Sequence, residues 1–310
     1  KRQQPVFPID VYTIFGVSGA AGCMLTHAAV IPLDVVKTRL QTNPDVFGNS
    51  GDVIRGGAQI VKQEGIGGLL LGSQATVVGY LWYGLSVYPS YAFFKRFLSL
   101  GPVLSPEMAM LHANDVALVA GALAAVVASI GLTPMEACRI RAVAEPQIYK
   151  EKGLLGTARV IMDEEPSLGW KNLYAGFPSL LTRQVIFGSI KFLAFERTAE
   201  AIFSFYPLWK EDLITSLGVS LVAGAIAGTL SAVVSHPADA VLTYVAQSND
   251  RPGSSLGVLQ GSRIMIEQEG IGSLFRGLSS RCVWAGSIIA GQFLLYDTFR
   301  SMFGVTGDDL

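Results

Sequence analysis

The residues of this chain that could do chemistry are charged side chains set inside apolar stretches. Three apolar runs contain a proline with an acid two positions later, and in the first two a base follows three positions after the acid: Pro32, Asp34 and Lys37; Pro134, Glu136 and Arg139; Pro237 and Asp239. A charge beside a proline in an apolar helix is costly, so its threefold occurrence indicates a function. Acids and bases in such a setting pair with one another or line the path of a charged ligand.

Other basic and titratable side chains fit the binding of a small anion and the movement of a proton. Arg183 and Lys191 are eight residues apart, about two helical turns, and so lie on a similar face of one helix. A buried base needs a counter-anion, and a phosphate-sized ligand is a natural partner. His27 is the natural proton carrier because histidine titrates near physiological pH. The alternatives are an Arg183 that snorkels to the membrane surface and a His27 that is only structural.

The spacing of the three prolines shows that the chain is three copies of one unit. Pro32 and Pro134 are 102 residues apart, and Pro134 and Pro237 are 103 residues apart. We therefore expect three repeats, over residues 1–105, 106–207 and 208–310.

The composition indicates a membrane protein and argues against several other classes. Of the 310 residues, 50% are hydrophobic and only 15% are charged, whereas a soluble domain carries about 25% charged residues. The net charge of −1 excludes the basic patch that nucleic-acid binding needs. The first residues lack the apolar core of a secretory signal. We find no nucleophile–base set and no cluster of metal ligands, so we do not expect an enzyme or a metal site.

Each copy has the same order of elements: a long helix through the proline, a short amphipathic helix, and a second long apolar helix. The predicted ranges are 11–41, 52–64 and 76–100; 113–143, 155–164 and 178–205; 212–247, 256–269 and 278–303. Six helices of about 20 residues or more are long enough to cross a bilayer. The predicted fold class is an all-α membrane protein with six transmembrane helices in three pseudo-symmetric repeats.

The proline-acid-base motif, repeated at the ends of alternate apolar helices, resembles the mitochondrial carrier family over essentially the whole chain. Within that family the chain is similar to the phosphate carriers at Leu25-Thr26-His27, at Lys191-Phe192 and at Val234-Ser235-His236-Pro237. The resemblance implies a multi-pass protein of the mitochondrial inner membrane, with the short amphipathic helices on the matrix side. It also implies transport of inorganic phosphate with a proton, or against hydroxide, by alternating access.

The resemblance further implies two rings of ion pairs that close the cavity in turn. At the matrix gate Asp34 would pair with Arg139 and Asp239 with Lys37, while Glu136 would face Leu242 without a partner. At the cytoplasmic gate Glu196 would pair with Arg300 and Asp297 with Lys95. The third cytoplasmic pair is lost on both sides, because alanines stand at the two positions (Ala92 and Ala199).

The substrate site implied by the resemblance lies between the gates, and seven residues match it: Thr26, His27, Thr76, Arg183, Gln184, Lys191 and Gln292. Three charged residues of the phosphate carriers are replaced, a glutamate by Ala125, an aspartate by Ser129 and a lysine by Val87. These replacements leave two alternatives open: a carrier of another small anion, or a degenerate carrier fold that serves as a structural subunit of a larger membrane complex.

We expect no cofactor, and a membrane lipid as a bound partner. Aromatic residues precede open helix N-termini at Tyr174-Ala175-Gly176 and Phe275-Arg276-Gly277. Such N-termini can bind an anionic headgroup such as that of cardiolipin. The alternative is an ordinary aromatic residue at the membrane interface.

Overall fold

The computed structural model describes residues 7–42, 53–100, 104–249, 258–275 and 277–305, and these residues form helices without any strand. The described residues form eleven α-helices, separated in part by short 3₁₀ helices: α1 Ile9–Thr42, α2 Val53–Glu64, α3 Ser73–Leu100, α4 Pro106–Leu111, α5 Ala113–Ala144, α6 Pro146–Tyr149, α7 Gly153–Glu164, α8 Phe177–Phe205, α9 Leu213–Asn249, α10 Val258–Glu269 and α11 Leu278–Met302. The predicted all-α fold class is confirmed.

Six long helices form a closed ring. Three of them contain the motif prolines, and we call α1, α5 and α9 the leading helices; α3, α8 and α11 are the trailing helices. Each long helix packs on two others, in the order α1, α3, α5, α8, α9, α11 and back to α1. Residues that face the interior of this ring can therefore meet residues of helices that are not their neighbours.

The helix bounds agree with the sequence pattern to within about three residues. The leading helices continue through Pro32, Pro134 and Pro237. A proline removes one backbone hydrogen bond, and membrane helices tolerate it where packing satisfies the freed groups. The pattern missed two short helices, Pro106–Leu111, whose first turn is capped by Ser105, and Pro146–Tyr149.

The long helices differ in how apolar they are. Three helical segments of the described chain, all in leading helices, are long and apolar enough to cross a membrane: Ile9–Leu40, Ala113–Ala144 and Leu213–Leu242. The trailing helices have 28, 29 and 25 residues, which is also sufficient length.

The two long helices of each repeat approach closely through small residues. A side chain at Gly84 of α3 would overlap the backbone of Gly19 on α1. The same holds for Gly121 of α5 against Gly188 on α8, and for Gly228 of α9 against Ala285 on α11. Small residues let membrane helices pack backbone to backbone. Each leading helix is therefore held tightly to its trailing helix.

Candidate functional site

The three trailing helices have different side chains at one set of equivalent positions. Val87, Lys191 and Gln292 each lie fifteen residues after the glycine that precedes their helix. Their exposed fractions are 0%, 0% and 1%. Lys191 is therefore the one charged residue among these three equivalents, and it is fully enclosed.

Aromatic side chains surround Lys191, and none of its contacts among the described residues is an acid. Its Nζ donates a hydrogen bond to Tyr83 Oη at 3.3 Å and lies 4.5 Å from the centre of the Phe192 ring and 5.5 Å from that of Tyr88. Because α3 and α8 are not neighbours in the ring, these contacts to Tyr83 and Tyr88 cross its interior. Lys191 forms no ion pair with a described residue, and the titratable groups that interact with it electrostatically include the thiol of Cys23 and the imidazole of His27.

His27 joins α1 to two trailing helices. Its Nδ1 lies 3.0 Å from the carbonyl oxygen of Cys23 and 3.3 Å from Nε2 of Gln292, and its ring stacks on Tyr80 with 3.3 Å between the centroids. The side chain is 4% exposed. The structure thus brings together two of the predicted substrate residues, His27 and Gln292.

The remaining predicted substrate residues differ in whether their side chains already have a hydrogen-bond partner. The hydroxyls of Thr26 and Thr76 donate to carbonyls of their own helices, those of Gly22 at 2.8 Å and Gly72 at 3.2 Å. Gln184 is half-buried, and its role stays a prediction.

Arg183 is half-buried near the motif residues and forms no ion pair with a described residue. It interacts electrostatically with both Glu136 and Asp239, which belong to different leading helices. Its guanidinium therefore acts on the interior of the ring and is available to bind an anion.

The predicted pairs of the matrix gate do not form. Glu136, for which no partner was expected, binds Arg139 of its own helix, with 2.9 Å from Nε to Oε2 and 2.5 Å from Nη2 to Oε1. This bidentate bond occupies the guanidinium that was predicted to bind Asp34. The physical reason is the spacing: residues three apart are neighbours on one helix face.

Asp239 was predicted to pair with Lys37, and it pairs instead with Arg281 of α11. Leu242 leaves the third motif without a base of its own, and Arg281 on the adjacent trailing helix takes that place. Lys37 lies 5.7 Å from the centre of the Trp284 ring, and the charges of Asp34 and Arg281 act on it.

Arg281 is a site residue that the sequence reasoning missed. It lies four residues after Gly277, and Thr76, a predicted site residue, lies four residues after Gly72. Alignment of the trailing helices at these glycines would have identified it.

The pairing at the cytoplasmic gate also differs from the prediction. Lys95 was expected to bind Asp297 and instead binds Glu196, at 2.6 Å, where Tyr91 also donates a hydrogen bond at 2.7 Å. Arg300, the predicted partner of Glu196, binds Asp297 on its own helix at 3.0 Å. Asp297 also accepts a hydrogen bond from Ser220 of α9. Because Ala92 provides no acid on α3, both Tyr91 and Lys95 of that helix bind Glu196.

Six aromatic rings lie together between Lys191 and the cytoplasmic gate residues, and we call them the six-ring cluster. Three lie sixteen residues and three nineteen residues after the glycines that precede the trailing helices: Tyr88, Phe192 and Phe293; Tyr91, Phe195 and Tyr296. The first three form a triangle of edge-to-face contacts, with centroids 5.7, 6.0 and 6.2 Å apart.

The outer three rings of the six-ring cluster stack on the inner three in a cyclic order. Tyr91 stacks on Phe192 at 4.0 Å, Phe195 on Phe293 at 3.6 Å, and Tyr296 on Tyr88 at 4.2 Å. Each repeat thus places one ring on the next repeat around the ring of helices. The cluster closes the interior above Lys191 and belongs to the site, although the sequence reasoning did not identify it as a unit.

Comparison with known proteins agrees with this threefold architecture. The family model described as "Mitochondrial carrier protein" matches three times, at residues 12–101, 115–205 and 215–306. The chain belongs to the mitochondrial carrier family. It is therefore a transporter and not an enzyme, and it is a multi-pass protein of the mitochondrial inner membrane.

Full-length relatives include several carriers. The chain is 38% identical to "Mitochondrial substrate carrier family protein N" of Dictyostelium discoideum, with 96% of each chain covered. It is 30% identical to "Probable mitochondrial phosphate carrier protein" of Schizosaccharomyces pombe, with 98% of this chain and 94% of the relative covered. It is 32% identical to human "Solute carrier family 25 member 3", with 94% and 76% covered. This carrier resembles phosphate carriers over nearly its full length.

Proposed function

We propose that this carrier transports inorganic phosphate together with a proton, or against hydroxide. The observation that carries the proposal is Lys191, whose fully buried amino group has no carboxylate partner among the described residues. A charge in a medium of low polarity is stabilised by an opposite charge, and here a small anion can supply it. The relatives named as phosphate carriers support the choice of phosphate.

The charges near the predicted matrix gate also favour an anion. Four bases and three acids interact there: Lys37, Arg139, Arg183 and Arg281; Asp34, Glu136 and Asp239. Glu136 and Asp239 are each paired with an arginine, so the unpaired guanidinium of Arg183 leaves a positive excess. An anion that enters from this end meets Arg183 first and Lys191 deeper in the ring.

Alternating access is supported by the different kinds of contact at the cytoplasmic and matrix ends of the interior. The six-ring cluster closes the interior on the cytoplasmic side, together with the Lys95–Glu196 ion pair. On the matrix side Glu136 and Asp239 bind arginines within their own repeats, so these two bonds do not tie one repeat to another. Binding of phosphate to Arg183 and Lys191 would offset the cost of rearranging these contacts.

The replaced charges leave another small anion as an alternative substrate. Ala125 is fully buried and its neighbour Gly188 packs closely against it, while the Ser129 hydroxyl donates to the carbonyl of Ala125 at 2.7 Å. A larger side chain at Ala125 would press against Gly188 of α8. This seam therefore holds no carboxylate for a proton, and coupling must use groups elsewhere, of which His27 and Lys191 are the central candidates.

Uptake of labelled phosphate into liposomes that contain the purified carrier tests the proposal. We expect uptake that a pH gradient stimulates, and Arg183→Ala should abolish it. Arg197→Ala serves as a matched control, because Arg197 is exposed and pairs with Glu200 outside the site. Uptake of sulfate or a carboxylate in preference to phosphate would establish the alternative substrate. A lack of transport of any anion, with stable co-purification in a complex, would support a structural subunit instead.

An anionic lipid, with cardiolipin as the leading candidate, is a proposed partner at the matrix side. A cavity of about 140 Å³ lies where α3 and α7 begin, beside Gly72, Lys150 and Gly153. Gln74 there accepts the backbone N–H of Leu154 at 2.9 Å. Gly277 precedes α11 in the same way, while Arg276, within the Phe275-Arg276-Gly277 run that the sequence singled out, lies outside the described residues. Added cardiolipin should raise the thermal stability of the purified protein, and Lys150→Glu should reduce that gain.

A further inference from the structure

We propose that Lys191 is the group that carries the proton together with phosphate, gaining it when the substrate binds and losing it when the substrate leaves. This inference rests on the proposed phosphate transport and names the titrating residue within the same site. It assigns to Lys191 the role that the sequence suggested for His27.

The surroundings of Lys191 favour a neutral amine when the site is empty. The titratable groups that face it are Cys23 and His27 on α1 and Tyr83 and Tyr88 on α3. No carboxylate of a described residue is among its partners. A fully enclosed ammonium without an anion costs several kcal/mol, and lysine, unlike arginine, can lose its proton when it is buried.

The charge balance of a transport cycle follows directly. From one side, H₂PO₄⁻ and H⁺ enter together; the proton forms a bond with the lone pair of Nζ, and the resulting ammonium pairs with the phosphate. The loaded site has no net charge from these groups. On the other side phosphate dissociates and the ammonium returns its proton to water, so the site goes back as a neutral amine. One proton moves with each phosphate, and Lys191 carries no charge in the empty site.

His27 is less suited to this role because its ring is held in place. Its Nδ1 lies at hydrogen-bond distance from the Cys23 carbonyl, and Tyr80 covers its face. A charged His27 would also repel a charged Lys191, since the two interact electrostatically. His27 therefore positions the neighbouring groups rather than carrying the proton.

Lys191→Arg separates substrate binding from proton coupling. Arginine keeps its charge at every working pH, so it binds phosphate but cannot return as a neutral group. We expect the ratio of net uptake driven by a pH gradient to phosphate–phosphate exchange at equal pH to fall at least tenfold, whatever the arginine costs in exchange itself. His27→Gln should reduce both activities by the same factor. Gradient-driven uptake that persists in Lys191→Arg, or a selective loss of it in His27→Gln, overturns the inference.

Two further measurements do not depend on the Lys191→Arg variant, and they test the inference even if that variant does not fold. Calorimetric titration of the wild-type carrier with inorganic phosphate, in buffers of different ionisation enthalpy, counts the protons taken up on binding. We expect proton uptake in excess of that which converts HPO₄²⁻ into the bound H₂PO₄⁻, and the absence of such an excess contradicts the inference. Tyr83→Phe removes the hydrogen-bond acceptor of the ammonium at the same shape, so half-maximal gradient-driven uptake should move to lower pH by about one unit, a tenfold change in proton affinity. An unchanged midpoint contradicts the role of Lys191.

The two assays distinguish an error in the proposed substrate from an error in the assignment of the proton to Lys191. If the wild-type carrier exchanges no phosphate at all, the proposed substrate is wrong. If it exchanges phosphate and Lys191→Arg behaves like the wild type in both assays, only the assignment of the proton to Lys191 is wrong.

Discussion

Loss of one stacked pair in the six-ring cluster should open the cytoplasmic side of the carrier more often. Phe195 stacks on Phe293 with 3.6 Å between centroids and 6° between planes, the closest of the three stacked pairs. The contact joins the second repeat to the third. Phe195→Leu keeps an apolar side chain of similar bulk and removes the ring.

The expected magnitude follows from the energy of such a pair. An aromatic pair contributes about 0.5–1.5 kcal/mol beyond the area it buries. This contribution is lost when the repeats separate, so it stabilises the closed form relative to the open form. Its removal should raise the open population by about 2- to 13-fold, since 1.4 kcal/mol corresponds to a factor of ten.

Alkylation of Cys23 measures this population. The thiol is 0% exposed and lies beside Lys191, beyond the six-ring cluster as seen from the cytoplasmic side. A membrane-impermeant maleimide from that side reaches Cys23 only when the cluster opens. In a Cys138→Ser, Cys282→Ser background, the labelling rate is proportional to the open fraction, and Phe195→Leu should raise it by the factor above.

Two controls make the result decisive. Phe195→Tyr retains the stacked ring and should label at nearly the wild-type rate. Phe205→Leu removes a ring that is 79% exposed on the same helix and should have no effect. A labelling rate that Phe195→Leu leaves unchanged, or that Phe205→Leu raises equally, would refute the role of the cluster as the closure.

Three further perturbations test the packing and the ion pairs. Gly84→Val should cost about 1–3 kcal/mol of stability in a detergent unfolding assay, because the side chain would overlap the backbone of Gly19. Asp239→Asn and Arg281→Gln should each lower stability and transport, and the double variant should cost less than the sum, as a double-mutant cycle would show. Glu196→Gln should weaken the closed form by about 1 kcal/mol and speed Cys23 labelling about fivefold.

The controls for these perturbations are also in the chain. Gly67→Val places a side chain where no atom lies within 4 Å, and it should leave the stability unchanged. Additive costs for Asp239→Asn and Arg281→Gln would contradict a direct pair. Labelling of Cys23 that is as slow in Glu196→Gln as in the wild type would show that the ion pair adds nothing to the closure.

The sequence by itself determined the secondary structure, the threefold repeat and the residues on which chemistry depends. The apolar stretches are as long as membrane-spanning helices, and the motif recurs about every hundred residues. Both signals can be read from short segments of the chain, and the bounds of the long helices follow from them. The same pattern identified Lys191 and His27, because a charged group or an imidazole inside an apolar helix can be recognised from the sequence without the structure.

The tertiary structure alone decided which charges meet and which side chains enclose them. The acid and base of the second motif pair with each other, and Arg281 replaces the missing third base, because a partner is chosen by distance in space and by what the neighbouring helix offers. The aromatic enclosure of Lys191 and the cyclic six-ring cluster join helices that are far apart in sequence. Such contacts depend on the closure of the ring of helices, and no single segment of the chain encodes them.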